Sequence, residues 1–180
     1  MHHKISAIFL AVSLFARILA VAPNQMAADF NDGIQKGNLK LALGWSQENH
    51  EPYRAQLLQG QFEFFATDYF GVRGNAALPL SLAAPGMQYY PLTLGMALHF
   101  LPRHAVDFFA GADAGFVYFG TSQLRANWST RITAIAGMSL YFWGAFFLEA
   151  EAGYSVLQYA RDTAADLSAP TYRVRIGFYL

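Results

Sequence analysis

The chain contains no cysteine, which removes a disulfide framework and any thiolate metal site from consideration. Charge is scarce: Asp, Glu, Lys and Arg supply 13% of the residues, and 12 basic side chains balance 12 acidic ones. With zero net charge, nothing suggests nucleic-acid binding, which would need a basic patch. Long apolar runs are missing too. Beyond the N-terminus no apolar run reaches the roughly 18 residues of a transmembrane helix. Yet 54% of the 180 residues are hydrophobic and 16% aromatic, rich for a soluble domain of this length. High hydropathy without long runs is the product of strict alternation.

The first segment is the exception. Lys4 precedes an apolar stretch from Ile5 to Ala22, followed by Pro23 and Asn24. Residues 1–28 read as a secretory signal peptide, with cleavage after the small-x-small run Ala20-Val21-Ala22 or near Ala27 and Ala28. An uncleaved anchor is the alternative. Residues 29–37 form a polar, glycine-broken periplasmic lead-in, and 38–180 form one domain.

From Leu39 onward apolar and polar positions alternate with period two, the mark of strands whose faces meet different surroundings. Leu39, Leu41, Leu43 and Trp45 oppose Lys40, Ala42 and Gly44. Leu92, Leu94, Met96, Leu98 and Phe100 oppose Thr93, Gly95, Ala97 and His99. Eight such segments follow one another. The links expected between them are 46–54, 67–68, 79–88, 101–105, 120–127, 143–144 and 160–170, read as alternately longer and shorter. That alternation and the even strand number match a transmembrane β-barrel with loops outside and tight turns inside.

The final segment, Thr171–Leu180, carries Tyr172, Val174, Ile176, Phe178 and Leu180 on one face and Arg173 and Arg175 on the other. It resembles the closing strand and assembly signal of Gram-negative outer-membrane barrels. The hairpin PLTLGMALHF through DFFAGADAGFVYF resembles the matching hairpin of OmpW-like barrels. After about Asn38 the whole chain resembles the eight-stranded class shared by the OmpA membrane domain, OmpX and OmpW. The resemblance implies an all-β fold, an eight-stranded antiparallel up-and-down transmembrane β-barrel in the bacterial outer membrane. Its implied partners are outer-membrane lipid and, during biogenesis, the barrel assembly machinery; a monomer without cofactors is expected.

A soluble lipocalin-like barrel has the same strand number with the apolar face inward. Here the apolar set is bulky and its opposite is small or charged. An eight-stranded interior is only wide enough for side chains to fill, so the small and charged set belongs inside. Aromatics also gather where interface girdles are expected. Phe64, Phe70, Phe100, Phe108, Phe142 and Phe146 lie towards the short turns; Trp45, Tyr90, Tyr118, Trp128, Tyr154 and Tyr172 lie towards the loops.

The inward parity collects Lys40, Arg73, Arg131, Arg173 and Arg175 with Glu63, Asp113, Glu149 and Glu151. Buried charges need partners, so a paired network filling the lumen is expected. Glu63 is expected to pair with Arg73, and Glu149 and Glu151 with Arg173 and Arg175; His99 and Asp107 form a further pair. The corresponding function is a structural or surface-interaction barrel. An OmpW-like conduit for a small hydrophobic ligand is the alternative, with Leu57, Val117, Ile135 and Leu157 as inward apolar residues near the outer rim. A lipid-modifying enzyme would need a Ser–His pair at the lipid face, and Ser46 and His50 are the nearest candidates. No catalytic, cofactor or metal residues are assigned.

Overall fold

The computed structural model describes residues 35–50, 53–83, 86–122, 126–142, 145–158 and 168–180. The leader, residues 29–34 of the lead-in and the turn at 143–144 lie outside these. Eight strands follow in chain order: β1 (Leu39–His50), β2 (Tyr53–Thr67), β3 (Phe70–Leu82), β4 (Gln88–His99), β5 (Val106–Gly120), β6 (Asn127–Phe142), β7 (Phe146–Gln158) and β8 (Ala169–Tyr179). Each pairs antiparallel with its neighbour in sequence, and β8 pairs back onto β1, closing the barrel. No helix occurs among the described residues.

Closure disposes of every ladder edge. The last rung is held twice, by Leu39 N–H to Leu180 O at 3.0 Å and Leu180 N–H to Leu39 O at 2.9 Å. Following the register from Glu48 through Thr171, Gly153, Ile135, Gly111, Ala97 and Gly71 to Phe65 leads to Asn38, just before β1, ten residues below the start. A stagger of that size in eight strands tilts them by about 40° and leaves an interior of side-chain width.

Two expected links are corrected. Residues 46–54 are not a loop: β1 runs to His50 and β2 starts at Tyr53. The expected link 79–88 likewise shrinks, because β3 continues to Leu82 across a register shift between Gln56 and Leu57 on its partner. Polarity misled in both places. Period two survives through Ser46 and Glu48, both buried inside, while Gln56 and Arg54 point outward and are exposed. Strands of 11–16 residues exceed the roughly 9–11 needed to span the hydrocarbon, so their ends carry polar outward residues. The long–short alternation of links therefore fails at the first two outer links, of two and five residues, against six in the inner link between β4 and β5.

Exposure separates the two faces. Leu94 is 63% exposed, whereas its neighbour Thr93 is 3% exposed. Val72, Leu92, Met96, Phe116, Ile132 and Ile176 are all exposed on the outer wall. Such a wall, enclosing a charged interior, is stable against lipid rather than water. The C-terminal face is corrected at one position. Tyr172, Val174, Ile176 and Leu180 are exposed, but Phe178 is 1% exposed, set in the ladder between Leu41 and Phe146.

Leu94→Arg should cost roughly 2–4 kcal/mol in folding from urea into lipid vesicles, because it sets a charge against mid-strand hydrocarbon. Thr93→Arg should instead answer to lumen packing. Tolerance of arginine at 94 combined with failed insertion at 93 would invert the two faces.

Candidate functional site in the barrel lumen

The lumen is layered. Nearest the short-turn rim, Phe65, Tyr141, Phe147 and Tyr179 form a buried aromatic cluster with Ala42. Nearest the opposite rim, Leu57, Tyr89, Val117, Phe119 and Leu157 pack with Ala55, Ala77 and Met87. Between these lie the charges. Of the inward apolar residues expected near the outer rim, Ile135 is placed elsewhere, in a third cluster with Ala97 and Phe109.

All nine expected interior charges are buried, none more than 5% exposed. Arg175 Nη2 lies 2.6 Å from both Glu149 Oε1 and Glu151 Oε2, and Arg173 Nη1 lies 2.6 Å from Glu151 Oε1 and 3.0 Å from Asp113 Oδ2. Lys40 Nζ donates to Glu149 at 2.7 Å and sits 4.5 Å from the centre of the Phe147 ring. Here a cation meets a carboxylate and the lower aromatic layer together.

The expected Glu63–Arg73 pair is corrected. The two residues are direct partners in the β2–β3 register, yet their side chains part. Arg73 crosses the lumen to Glu151 at 2.5 Å and to Asp113 at 3.4 Å. Glu63 turns to His99 Nε2 at 3.0 Å and Lys40 at 3.5 Å. In so narrow a barrel a guanidinium reaches the far wall, where Glu151 accepts from its Nη2, while its Nε stays in ion-pair range of Asp113 two strands away. Glu63 is free to fold over Gly71, where an added β-carbon would sit 2.5 Å from its Oε1.

Sequence reasoning missed Glu48 and Tyr89. Arg131 Nη1 lies 2.8 Å from Glu48 Oε1, and the Tyr89 hydroxyl donates to Glu48 Oε2. Both were legible as inward positions, Glu48 on the parity of Lys40 and Tyr89 on that of Thr93. Assigning 46–54 to a loop hid the first. Ser46 is inward and buried rather than at the lipid face, and the side chain of His50 lies outside the described residues.

His99 completes the charge balance. Its Nδ1 meets Asp107 and its Nε2 meets Glu63. Carboxylate oxygens face both nitrogens, an arrangement that suits the imidazolium, the form with two N–H donors. With His99 protonated, the buried set among the described residues holds Lys40, four arginines and His99 against Glu48, Glu63, Asp107, Asp113, Glu149 and Glu151, six charges of each sign.

Little space remains. A cavity between the charges and the upper apolar layer, bordered by Ser46, Gln59, Thr93, Arg131 and Arg173, offers about 10 Å³ to the centre of a water molecule, roughly one water's worth. Among the described residues no group of His, Asp or Glu is arranged to hold a metal ion.

At the short-turn rim, Asp68 ties three segments. It accepts the Lys36 N–H at 2.9 Å and Arg103 Nη2 at 2.7 Å. The Lys36 amide first, then the Arg103 guanidinium, holds its carboxyl below the ordinary aspartate value.

The chain was compared with known proteins. No protein-family model and no curated protein matches the sequence. Among solved structures, the N-terminal β-barrel domain of Pseudomonas aeruginosa OprF is similar over 82% of this chain and 100% of that one, at 13% identity and a TM-score of 0.66. The outer membrane protein OprG of Pseudomonas aeruginosa is similar over 82% and 98%, at 11% identity and a TM-score of 0.64. A de novo designed transmembrane β-barrel is similar over 82% and 99%, at 13% identity and a TM-score of 0.54. Likeness at such identity is likeness of fold, and a designed barrel shares it with natural ones.

In a double-mutant cycle read by unfolding, Arg73→Ala with Glu151→Gln should show a coupling of about 1–3 kcal/mol. The cycle of Arg73→Ala with Glu63→Gln should show a smaller one; equal couplings would restore the register pair. The Asp68 contact favours the ionised carboxylate, so it is complete above the ordinary value near 3.8 and is lost as pH falls below it. The protection factor of the Lys36 amide, its slowing relative to the intrinsic rate at each pH, should therefore fall on acidification through that range and be low at every pH in Asp68→Ala. A Lys36 amide equally protected in both proteins would refute the tie.

Proposed function

We propose that this chain is an integral barrel of the bacterial outer membrane whose task is structural or carried on its surfaces, not through its lumen. One observation carries the reading: apolar and aromatic layers cap both ends of a charge-filled interior with a cavity of about one water. The likeness in fold to the outer membrane protein OprG supports the location, as does the apolar outer wall. The proposed partners are the surrounding lipid and, during biogenesis, the barrel assembly machinery. The barrel acts as a monomer and not as an enzyme.

The conduit for a small hydrophobic molecule is the weaker reading. Its seat would be the upper cluster, where Leu57, Tyr89, Val117 and Phe119 already occupy the space and none is exposed. A ligand there would have to displace packed side chains.

Planar-bilayer recording of the folded protein tests the proposal. The expected result is no steady conductance and no faster passage of small apolar solutes into vesicles than through lipid alone. Steady ohmic conductance, or saturable solute entry, would contradict it and favour the conduit.

A further inference from the structure

The apolar outer wall is not of even height. On β1 the outward run is Leu39, Leu41, Leu43 and Trp45, and it ends at Gln47 and Asn49. On β2 it passes from Phe64 and Phe62 to Leu58, then ends at the exposed Gln56 and Arg54. On β8 it stops at Tyr172. Across the barrel the runs are longer. On β5 it extends from Val106 through Phe116 to Tyr118, and on β6 from Phe142 to the exposed Trp128, interrupted only by Thr130. In a ring of eight, β5 lies opposite β1.

All these runs begin at the short-turn rim, so the difference falls at the other rim. With a rise of about 3.3 Å per residue and a tilt of about 40°, the β1 run climbs about 15 Å and the β5 run about 30 Å. A transmembrane barrel ordinarily presents an even band of about 25 Å. The short side is polar, not merely less apolar. Gln47 Nε2 donates to Asn49 Oδ1 at 2.9 Å, whereas Gln56 and Arg54 face outward and exposed. Hydrocarbon offers such groups no partners, and arginine on a lipid face is disfavoured increasingly with depth.

We propose that the face formed by β8, β1 and β2 draws the lipid headgroup layer down the barrel wall, thinning the membrane locally along the closing seam. The partner is the headgroup region of the leaflet at the outer-link rim. Its phosphate and other hydrogen-bonding groups would meet Arg54, Gln47 and Gln56, while Trp45 and Tyr172 mark the lowered boundary. The inference rests on the reading of the chain as a membrane-embedded barrel.

The absence of cysteine allows nitroxide labels to be placed singly. The variants are Gln47→Cys, Gln56→Cys and Phe116→Cys at comparable height near the outer-link rim, Leu41→Cys and Phe108→Cys near the other rim, and Leu94→Cys at mid-strand. Depth is read in phosphatidylcholine vesicles from relative accessibility to oxygen and to a water-soluble nickel chelate. Labels at 47 and 56 should report the headgroup layer, about 10 Å shallower than the label at 116, while labels at 41 and 108 report equal depth. Equal depth at 47, 56 and 116 would overturn the proposal, and so would opposite displacement of 41 and 108, which signals a tilted barrel in a flat membrane. The label at 94 must read hydrocarbon on any embedded reading, so its failure would strike that reading instead. As a second arm, adding Gln47→Leu and Gln56→Leu should sink a label at Leu43→Cys deeper into hydrocarbon. An unchanged depth there, in protein that still folds, would also overturn thinning.

Discussion

A lumen only wide enough for side chains must be filled by them, and every charge placed there must find its counter-charge at contact distance. The rest of the structure follows from that constraint. Five cationic side chains, one imidazole and six carboxylates share the interior, and an unpaired one would bear a desolvation cost that no single contact offsets. The solution is a web rather than a row of pairs. Glu151 meets Arg73, Arg173 and Arg175, and Glu149 meets Arg175 and Lys40. Sharing lets Arg73, Arg173 and Arg175 each meet two carboxylates.

The web in turn sets what the walls can be. Glu63 folds over the adjacent strand at Gly71, where the wall carries no side chain. With polar groups gathered inside and backbone groups paired around a closed ladder, the outer wall is free to be apolar. The caps follow the same logic. Phe147 and Tyr141 lie beneath Lys40, and Tyr89 donates to Glu48 from the upper layer, so each apolar layer touches the charges directly.

Much of this was legible in the sequence. Strand number, the inward parity and the burial of Lys40, Glu63, Arg73, Asp113, Arg131, Glu149, Glu151, Arg173 and Arg175 all rest on period two, which the chain keeps closely. Two things were not legible. The extent of β1 and β2 was hidden because polarity signals a loop in water but, on a strand continuing past the lipid, signals only the membrane boundary; Glu48 was lost with it. The pairing scheme was hidden because adjacency in the ladder does not decide contact when side chains reach across the barrel. Arg73 stands directly beside Glu63 in register and binds Glu151 instead. The reach depends on stagger and width, which no local pattern of residues encodes. Phe178 shares the outward parity and is nevertheless covered, unlike Ile176 two residues before it.

Charge balance inside the barrel is the claim on which the others depend, and His99 is where it is decided. The most direct measurement is nitrogen NMR of the histidine-labelled protein in lipid at pH 7, resolving the two ring nitrogens of His99. Matched charges predict a proton on both Nδ1 and Nε2, one directed at Asp107 and the other at Glu63. A ring with one bare nitrogen at that pH would leave six carboxylates facing five cations and would contradict the account.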